Sequence, residues 1–256
     1  MYNLKAIKEL ILEKTGIDLS YYRDNYLERR IRARMRKNNL TNFNSYIEKL
    51  EIDIEERKKF IDEIGINVSY FFRNKSTFEQ IKNIVFPHLK IKERVYIWSA
   101  GCASGEEPYS IAILLKEEGI ETYKIYATDI DNEVLEKAKE GIYGPDKFIE
   151  TPIELKNKYF VKIEGNFKIS EDLKKNITFF FHDITKKPPL LNFDLVLCRN
   201  VIIYFIKEKQ RVIFENLYSS LKRDGFLVLG KTEFLPFEFL DKFEYVSKTE
   251  RILKKI

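Results

Sequence analysis

The chain has 256 residues, of which 44% are hydrophobic and 33% are charged, and its formal net charge is +5. This composition is typical of an ordinary globular protein and excludes a disordered or fibrous chain. Its two cysteines are far apart, which excludes a disulfide framework, and its two histidines lack metal-ligand spacing, so we expect no metal site.

The sequence contains no segment that we expect to enter a membrane. There is no run of about eighteen apolar residues, the length that a spanning helix needs. The first residues also lack the apolar region of a secretory signal. We therefore expect a cytoplasmic protein with no direct membrane insertion.

Residues 1–75 have the pattern of a small all-helical domain. Apolar residues at helical spacing predict helices over residues 4–16, 20–37, 41–50 and 54–64. Gly16 is expected to end the first helix, and Ser20 is a candidate cap for the second. No alternation of apolar and polar residues interrupts this region.

The second predicted helix is strongly basic. Residues 23–37 contain seven basic and two acidic side chains. With the apolar positions facing inward, two basic stripes remain, one of Arg30, Arg34 and Lys37 and one of Arg29, Arg32 and Arg36. Such stripes suit an acidic partner, either a nucleic acid or an acidic protein face, and a merely solvated face is the alternative.

From about residue 76 the pattern changes to strands that alternate with helices. Strands are predicted over residues 95–98, 123–128, 177–181, 193–198 and 225–230, with one or two more over residues 243–253. Alternation of this kind implies parallel pairing with right-handed crossovers. We therefore predict an α/β domain over residues 76–256, a Rossmann-like doubly wound sheet with its ligand at the carboxyl ends of the strands.

Residues 145–176 interrupt this alternation. Residues 159–163 and 167–169, on either side of Gly165, predict a small inserted antiparallel β-subdomain. An unpaired edge of such a hairpin can accept an extended peptide as an added strand. A surface decoration without a binding role is the alternative.

Residues 98–110 predict a strand, a glycine-containing turn and a helix. Glu106 and Glu107 stand where a dinucleotide site would hold its diphosphate, and they suit the ammonium of an amino-acid-bearing cofactor such as S-adenosylmethionine. The alternative is that they only neutralise the helix dipole. Asp129 and Asp183 each follow a strand, where they can accept hydrogen bonds from ribose hydroxyls and from the adenine amine.

Two further stretches contain polar residues among apolar ones. Residues 67–73 place Asn67, Ser69 and Arg73 among aromatic side chains, and residues 198–205 follow a buried strand. The (Asn/Asp)-Pro-Pro-aromatic motif of adenine and glutamine N-methyltransferases is absent from the second stretch. Its absence argues against an amide or base nitrogen as the methyl acceptor.

These motifs together resemble those of the chemotaxis receptor glutamate O-methyltransferases, the CheR family. The resemblance is carried by residues 67–73, 100–110, 127–131, 198–205 and 230–233. It implies an S-adenosylmethionine-dependent enzyme with a helical N-terminal domain, a Rossmann-like cofactor domain and an inserted three-stranded subdomain. It also implies that the acceptor is a glutamate on the cytoplasmic helical bundle of a methyl-accepting chemotaxis receptor, with S-adenosylhomocysteine as the other product.

The resemblance also implies roles for individual residues. The cofactor contacts are expected from Asn67, Ser69, Arg73, Ala100, Gly101, Glu106, Asp129, Asp183, Ile184, Arg199 and Asn200. Arg73 and Tyr204 are expected beside the transferred methyl group. Separately from the resemblance, the position of Arg30, Arg34 and Lys37 on one basic stripe leads us to expect that they dock an acidic receptor helix.

Two other functions compete with this one. A nucleic-acid methyltransferase is favoured by the basic stripes alone, and the missing Pro-Pro motif argues against it, so we expect no nucleic-acid partner. The second alternative is a binding module that no longer catalyses methyl transfer. The presence of Arg73 and Tyr204 argues against such a loss of activity.

Overall fold

The structure is a computed structural model that describes residues 2–64 and 69–256. The chain divides into two compact units, one of residues 1–66 with 204–209 and the other of residues 67–203 with 210–256. This division lies ahead of the boundary expected at residue 75, because Phe71 and Phe72 are buried in the hydrophobic core of the second unit.

Amphipathic helices build the first unit, here called the helical unit. They are α1 (Tyr2–Thr15), α2 (Asp24–Lys37), α3 (Phe43–Ile52) and α4 (Ile54–Ile64). α1 ends at Gly16, which has a φ of 75°, as the sequence predicts. The prediction that Ser20 caps the second helix is wrong: Ser20 lies in a 3-10 turn whose cap is Asp18, and α2 begins only at Asp24.

A short segment from later in the chain completes the helical unit. The Arg23 N–H donates to the Tyr204 carbonyl at 3.0 Å, and the Tyr22 and Phe205 rings stack at 4.8 Å between centroids. The Tyr204 ring lies 4.7 Å from that of Tyr26. Tyr204 and its neighbour Phe205 are therefore held by α2 and by the two residues that precede α2, Tyr22 and Arg23.

The second unit, here called the sheet unit, contains the remaining elements. Its strands are β1 (Val95–Ala100), β2 (Tyr123–Asp129), β3 (Ile142–Tyr143), β4 (Phe160–Ile163), β5 (Asn166–Ile169), β6 (Ile177–Phe181), β7 (Phe193–Cys198), β8 (Leu221–Leu229), β9 (Phe243–Ser247) and β10 (Ile252–Lys255). Its helices are α5 (Lys75–Gln80), α6 (Phe86–Lys90), α7 (Glu106–Glu117), α8 (Asn132–Glu140), α9 (Ile153–Tyr159), α10 (Glu171–Lys174) and α11 (Lys207–Ser220), of which the first three residues of α11 are counted with the helical unit. A π-helical turn joins α5 to α6.

The strands form a large sheet and a small one within the described residues. The large sheet has the order β6-β2-β1-β7-β8-β10-β9, in which β6, β2, β1, β7 and β8 pair in parallel and β10 pairs antiparallel with both neighbours. The small antiparallel sheet has the order β3-β5-β4. The predicted fold class, a Rossmann-like doubly wound sheet with an inserted antiparallel subdomain and a preceding helical region, is confirmed.

The strand order identifies the edge where a ligand belongs. The chain runs outward from β1 through β2 to β6, and then returns to the other side of β1 with β7 and β8. The strand order thus reverses between β1 and β7, and doubly wound sheets bind ligands at the carboxyl ends of the strands beside such a reversal. Among the helices that the structure describes, none is long and apolar enough to span a membrane.

Candidate cofactor site

The turn after β1 is tight because its backbone binds the end of β2. The N–H groups of Gly101 and Cys102 both donate to the Thr128 carbonyl, at 2.8 and 2.9 Å. Gly101 has a φ of 78°, and a Cβ at this position would lie 2.4 Å from Val201 Cγ2. The glycine turn (residues 101–105) therefore lies directly against the chain that follows β7.

Asp129, the last residue of β2, holds the glycine turn through its carboxylate. Its Oδ2 accepts from the Ala103 N–H at 2.8 Å, and its Oδ1 accepts from the Asp131 N–H at 3.1 Å. Burial raises the pKa of Asp129 to about 6, although these backbone hydrogen bonds oppose the rise. The site therefore contains a carboxyl group that titrates not far below neutral pH.

The two glutamates that begin α7 make different contacts. Glu106 is fully buried, and its Oε1 lies 3.2 Å from Lys147 Nζ. Glu107 accepts from Ser99 Oγ at 2.8 Å and pairs with Arg199 Nη1 at 3.3 Å. Both carboxylates thus have specific side-chain partners, which a role limited to the helix dipole would not require.

The segment that contains Arg73 is fastened to the start of α7 and to the end of β7. The Phe72 N–H donates to Ser110 Oγ at 3.0 Å. Arg199 Nη2 donates to the Arg73 carbonyl at 2.7 Å and to Asn74 Oδ1 at 3.1 Å. The Arg73 segment (residues 69–75) therefore belongs to the carboxyl edge of the sheet.

The backbone of this segment is strained on both sides of Arg73. Phe72 has a φ of 58° and Asn74 a φ of 62°, both in the left-handed region that non-glycine residues rarely adopt. The ring of Phe72 is buried, and Lys147 Nζ donates to the Ser69 carbonyl at 2.8 Å. Strain held in place by such contacts is typical of functional sites.

The end of β6 contributes the third predicted carboxylate. Asp183 Oδ1 accepts from the Thr185 N–H and Oγ1, both at 2.8 Å, and Ile184 is buried. The His182 N–H donates to the Asp129 carbonyl at 2.9 Å, which joins the ends of β6 and β2. The Nε2 atom of His182 is buried and has no hydrogen-bond partner among the residues that the structure describes.

Several predicted site residues thus lie on neighbouring elements of the sheet unit. These are Ser69, Arg73, Ala100, Gly101, Glu106, Asp129, Asp183, Ile184, Arg199 and Asn200. Asn67 lies outside the described residues, and Tyr204 belongs to the helical unit. Sequence reasoning gave no role to Lys147, Ser110 or Glu233. Glu233 was visible only as part of a Gly-x-x-Glu motif after an apolar strand.

The predicted docking stripe is wrong in one member. Arg34 is only 8% exposed, and its guanidinium binds the buried Glu56 carboxylate through Nε at 2.9 Å and Nη2 at 2.6 Å. Arg30 is half-buried with its guanidinium 5.3 Å from the centre of the Tyr26 ring. Lys37 is exposed and pairs with Glu63 at 2.6 Å. Arg34 is therefore part of the interior of the helical unit.

The groups at the carboxyl edge suit a nucleoside with a cationic amino-acid tail. Asp129 ends β2, and Glu106 and Asp183 come after β1 and β6, the two neighbours of β2 in the sheet order; carboxylates at these positions disfavour a diphosphate. The unpartnered His182 nitrogen leaves a polar group for a ligand to satisfy. S-adenosylmethionine combines hydroxyls, an adenine amine and an ammonium, so its groups match these acceptors.

Comparison with known proteins agrees with this arrangement. Residues 67–252 match the model of the SAM binding domain of CheR methyltransferases, and residues 3–64 match the model of their all-alpha domain. The chain belongs to the CheR methyltransferase family. It is an S-adenosylmethionine-dependent methyltransferase.

Relatives match over most of their length. A chemotaxis protein methyltransferase of Borreliella burgdorferi is 36% identical over 246 residues, which cover 90% of this chain and 87% of that protein. One from Listeria monocytogenes is 34% identical, and the match covers 85% of this chain and 84% of that protein. One from Escherichia coli is 31% identical and covers 90% and 84%.

The raised pKa of Asp129 predicts that cofactor binding weakens in acid. Below about pH 6 its carboxyl takes up a proton, and it then becomes a poorer acceptor for the ribose hydroxyls that we expect it to bind. We expect the Kd of S-adenosylhomocysteine to rise by up to about tenfold for each pH unit below that value, because binding requires loss of this proton. Calorimetric titration between about pH 5 and pH 8 measures this dependence.

The control for this prediction is Asp129→Asn, which removes the titrating group. Its Kd should be weaker than that of the wild type near neutral pH and should change much less with pH. His182, whose pKa is lowered by burial, titrates in acid as well and is unchanged in the variant. Equal pH dependence of the two proteins would assign the effect to His182 or another group.

Proposed function

We propose that this chain transfers the methyl group of S-adenosylmethionine to glutamate carboxylates on the cytoplasmic helical bundle of methyl-accepting chemotaxis receptors. The products are glutamate methyl esters and S-adenosylhomocysteine, and the reaction takes place in the cytoplasm. Support comes from the family to which the chain belongs and from relatives that are named chemotaxis protein methyltransferases.

The proposal of a carboxylate acceptor rests on the way that the backbone of Arg73 is held in place. The residues on both sides of Arg73 adopt left-handed backbone conformations, and its carbonyl is bound by Arg199 at the end of β7. Arg73 therefore extends from a backbone that is held at the cofactor edge, and a guanidinium there favours an anionic acceptor, which it can bind through two parallel hydrogen bonds. We propose that Arg73 guides the glutamate carboxylate and that Tyr204 orients it through its hydroxyl.

The chemistry needs little beyond positioning. A glutamate with an ordinary pKa of about 4.3 is already an anion at neutral pH, so no general base is required. When bound, S-adenosylmethionine supplies a sulfonium methyl group, and the new C–O bond forms as the C–S bond breaks with its electron pair left on sulfur. The residues of this chain hold the acceptor in line and limit the access of water, which would solvate the anion.

The helical unit offers a basic surface for the receptor. The exposed basic residues of α2, here called the basic face, are Arg29, Arg32, Arg36 and Lys37. Arg32 is partly neutralised by Glu28 at 2.7 Å. We propose that the basic face docks an acidic helix of the receptor, with Arg29 and Arg36 in place of the buried Arg34.

Charge reversal on the basic face should weaken receptor binding alone. For Arg29→Glu/Arg36→Glu we expect the apparent KM for the receptor to rise by roughly fivefold or less per residue at low salt, because exposed ion pairs contribute about 1 kcal/mol or less. The difference should shrink as salt is added. Steady-state kinetics with a purified receptor domain measure both effects.

The matched control is Lys5→Glu/Lys14→Glu, which makes the same change of charge on exposed residues of α1. It should leave the receptor KM nearly unchanged, and both double variants should keep the wild-type KM for S-adenosylmethionine. An equal rise in receptor KM in the control would mean that net charge, and not the basic face, governs docking.

The substrate is tested by incubating the full chain with methyl-labelled S-adenosylmethionine and purified receptor cytoplasmic domains. We expect label that is released as methanol by mild base, since carboxyl methyl esters hydrolyse under these conditions. Receptor domains whose modified glutamates are replaced by alanine should take up none. Label that resists base would instead indicate methylation of nitrogen, and the proposed acceptor would then be wrong.

A further inference from the structure

The loop that follows β7 is built around one buried carboxylate. Glu233 is 2% exposed, and its Oε2 accepts from the N–H groups of Gly230 and Asn200 at 2.6 and 2.9 Å. Its Oε1 accepts from the N–H groups of Val201 and Ile202 at 2.9 and 2.7 Å. Four backbone donors from two separate strand ends therefore converge on a single side chain.

The surrounding backbone has little freedom to adopt another arrangement. A Cβ on Gly230 would lie 2.7 Å from Glu233 Oε2 and 2.8 Å from the Asn200 nitrogen. Asn200 itself has a φ of 61°, in the left-handed region. Burial raises the pKa of Glu233, while the four N–H groups oppose that rise because they stabilise the ionised carboxylate.

The residues held by Glu233 form one wall of the cofactor site. Asn200 is an expected cofactor contact, and Val201 fills the space beside Gly101 so closely that no Cβ fits there. The Asn200 loop (residues 200–202) and the glycine turn thus face each other across the gap between β1 and β7. A shift of this loop would move both a ligand contact and the packing of the turn.

We propose that Glu233 is a positioning residue for the cofactor: it acts through the Asn200 loop to fix the wall of the S-adenosylmethionine site. It does not itself touch the cofactor or the acceptor in this proposal. The inference holds whichever group accepts the methyl, so it is independent of the receptor glutamate.

One substitution, Glu233→Gln, tests these four hydrogen bonds directly. Glutamine has nearly the same volume as glutamate, but one of its two terminal atoms is an N–H donor. Each carboxylate oxygen of Glu233 accepts from two backbone N–H groups. In either orientation of the Glu233→Gln amide, the NH2 group, which is itself a donor, therefore faces two backbone N–H donors that have lost their acceptor. The Asn200 loop must then move, since buried donors that lose their acceptor are destabilising.

The experiment measures the Kd of S-adenosylhomocysteine by calorimetry on the full chain. For Glu233→Gln we expect about a tenfold weaker Kd, with kcat at saturating substrates within about threefold of the wild type. In an Asn200→Ala background the same substitution should weaken binding less, because the part of the effect that passes through the Asn200 side chain is already lost. Where Glu233→Gln does not fold, Gly230→Ala disturbs the same contacts with one methyl group and should give a comparable loss.

The control is another buried carboxylate of the same unit, at the opposite end of β7. Asp194 is 1% exposed and accepts from the Tyr96 N–H at 2.8 Å and from Lys92 Nζ at 2.7 Å. Asp194→Asn should lower the Tm and leave the Kd of S-adenosylhomocysteine unchanged. The proposal is overturned if Glu233→Gln binds S-adenosylhomocysteine like the wild type, or if Asp194→Asn weakens binding equally.

Discussion

Arg73→Ala should lower kcat by about 100-fold or more with saturating receptor and cofactor. The variant loses the group that we propose guides the acceptor carboxylate toward the methyl group. The hydrogen bonds that fasten the segment use the Phe72 N–H, the Arg73 carbonyl and the Asn74 side chain, and all of these remain. The loss should therefore appear in turnover while the Tm stays near that of the wild type.

Two further variants separate the charge of Arg73 from its shape and its surroundings. Arg73→Lys keeps the charge but not the planar fork, so we expect it to recover only part of the lost turnover. Lys75→Ala removes a neighbouring cation whose ion pair with Glu79, at 3.8 Å, is exposed, and it should keep nearly full activity. Wild-type kcat in Arg73→Ala, with unchanged affinity for S-adenosylhomocysteine, would remove Arg73 from the mechanism.

The elements of the fold follow closely from local patterns in the sequence. α8 lies between two predicted strands, where the alternation of strands and helices predicts a helix, and it ends at Gly141 with a φ of 68°. Its start was not predicted in detail, yet Asp131 caps it by accepting from the N–H groups of Glu133 and Val134. Spacing and caps of this kind depend on residues within one or two turns, so one sequence is enough to recognise them.

Contacts between distant polar groups were not accessible in this way. Arg34 lies at the border of the apolar face of α2, and its burial depends on Glu56, which is 22 residues away in α4. Glu233 reaches Asn200 across 33 residues, and Lys147 meets Glu106 from a different part of the sheet unit. A hydrophobic pattern shows which face of an element is buried, but it does not show which charged side chains will meet inside.

Glu56→Ala should lower the free energy of unfolding of the helical unit by about 3–5 kcal/mol, because it leaves the Arg34 guanidinium buried without its hydrogen-bonded partner and with only the more distant Glu63, at 3.8 Å. The Tyr46 hydroxyl, which donates to Glu56 Oε1 at 2.9 Å, loses its acceptor as well. Arg34→Met/Glu56→Leu should lose much less, since it buries no unpaired charge. Lys37→Ala breaks an exposed pair on the same helix and serves as the control.

Urea titration of the full chain can assign this loss to the helical unit. Trp98 is the single tryptophan and lies in β1, so its fluorescence follows the sheet unit, while circular dichroism also follows the helices of the first unit. Glu56→Ala should move a circular dichroism transition to lower urea and leave the fluorescence transition in place. An unchanged circular dichroism transition would mean that the Arg34–Glu56 pair contributes nothing to stability.

The Arg34–Glu56 pair also predicts how the difference in stability between the wild type and Glu56→Ala depends on pH. Burial alone would raise the pKa of Glu56, but hydrogen bonds from Arg34, Asn38 and Tyr46 outweigh it and hold the pKa below its usual value. Because the folded pKa lies below the unfolded value of about 4.3, the stabilisation is present above that pH and is lost as the pH falls below it. The gap between wild type and Glu56→Ala should therefore narrow in acid, and a gap that stayed constant would assign the loss to packing instead of charge.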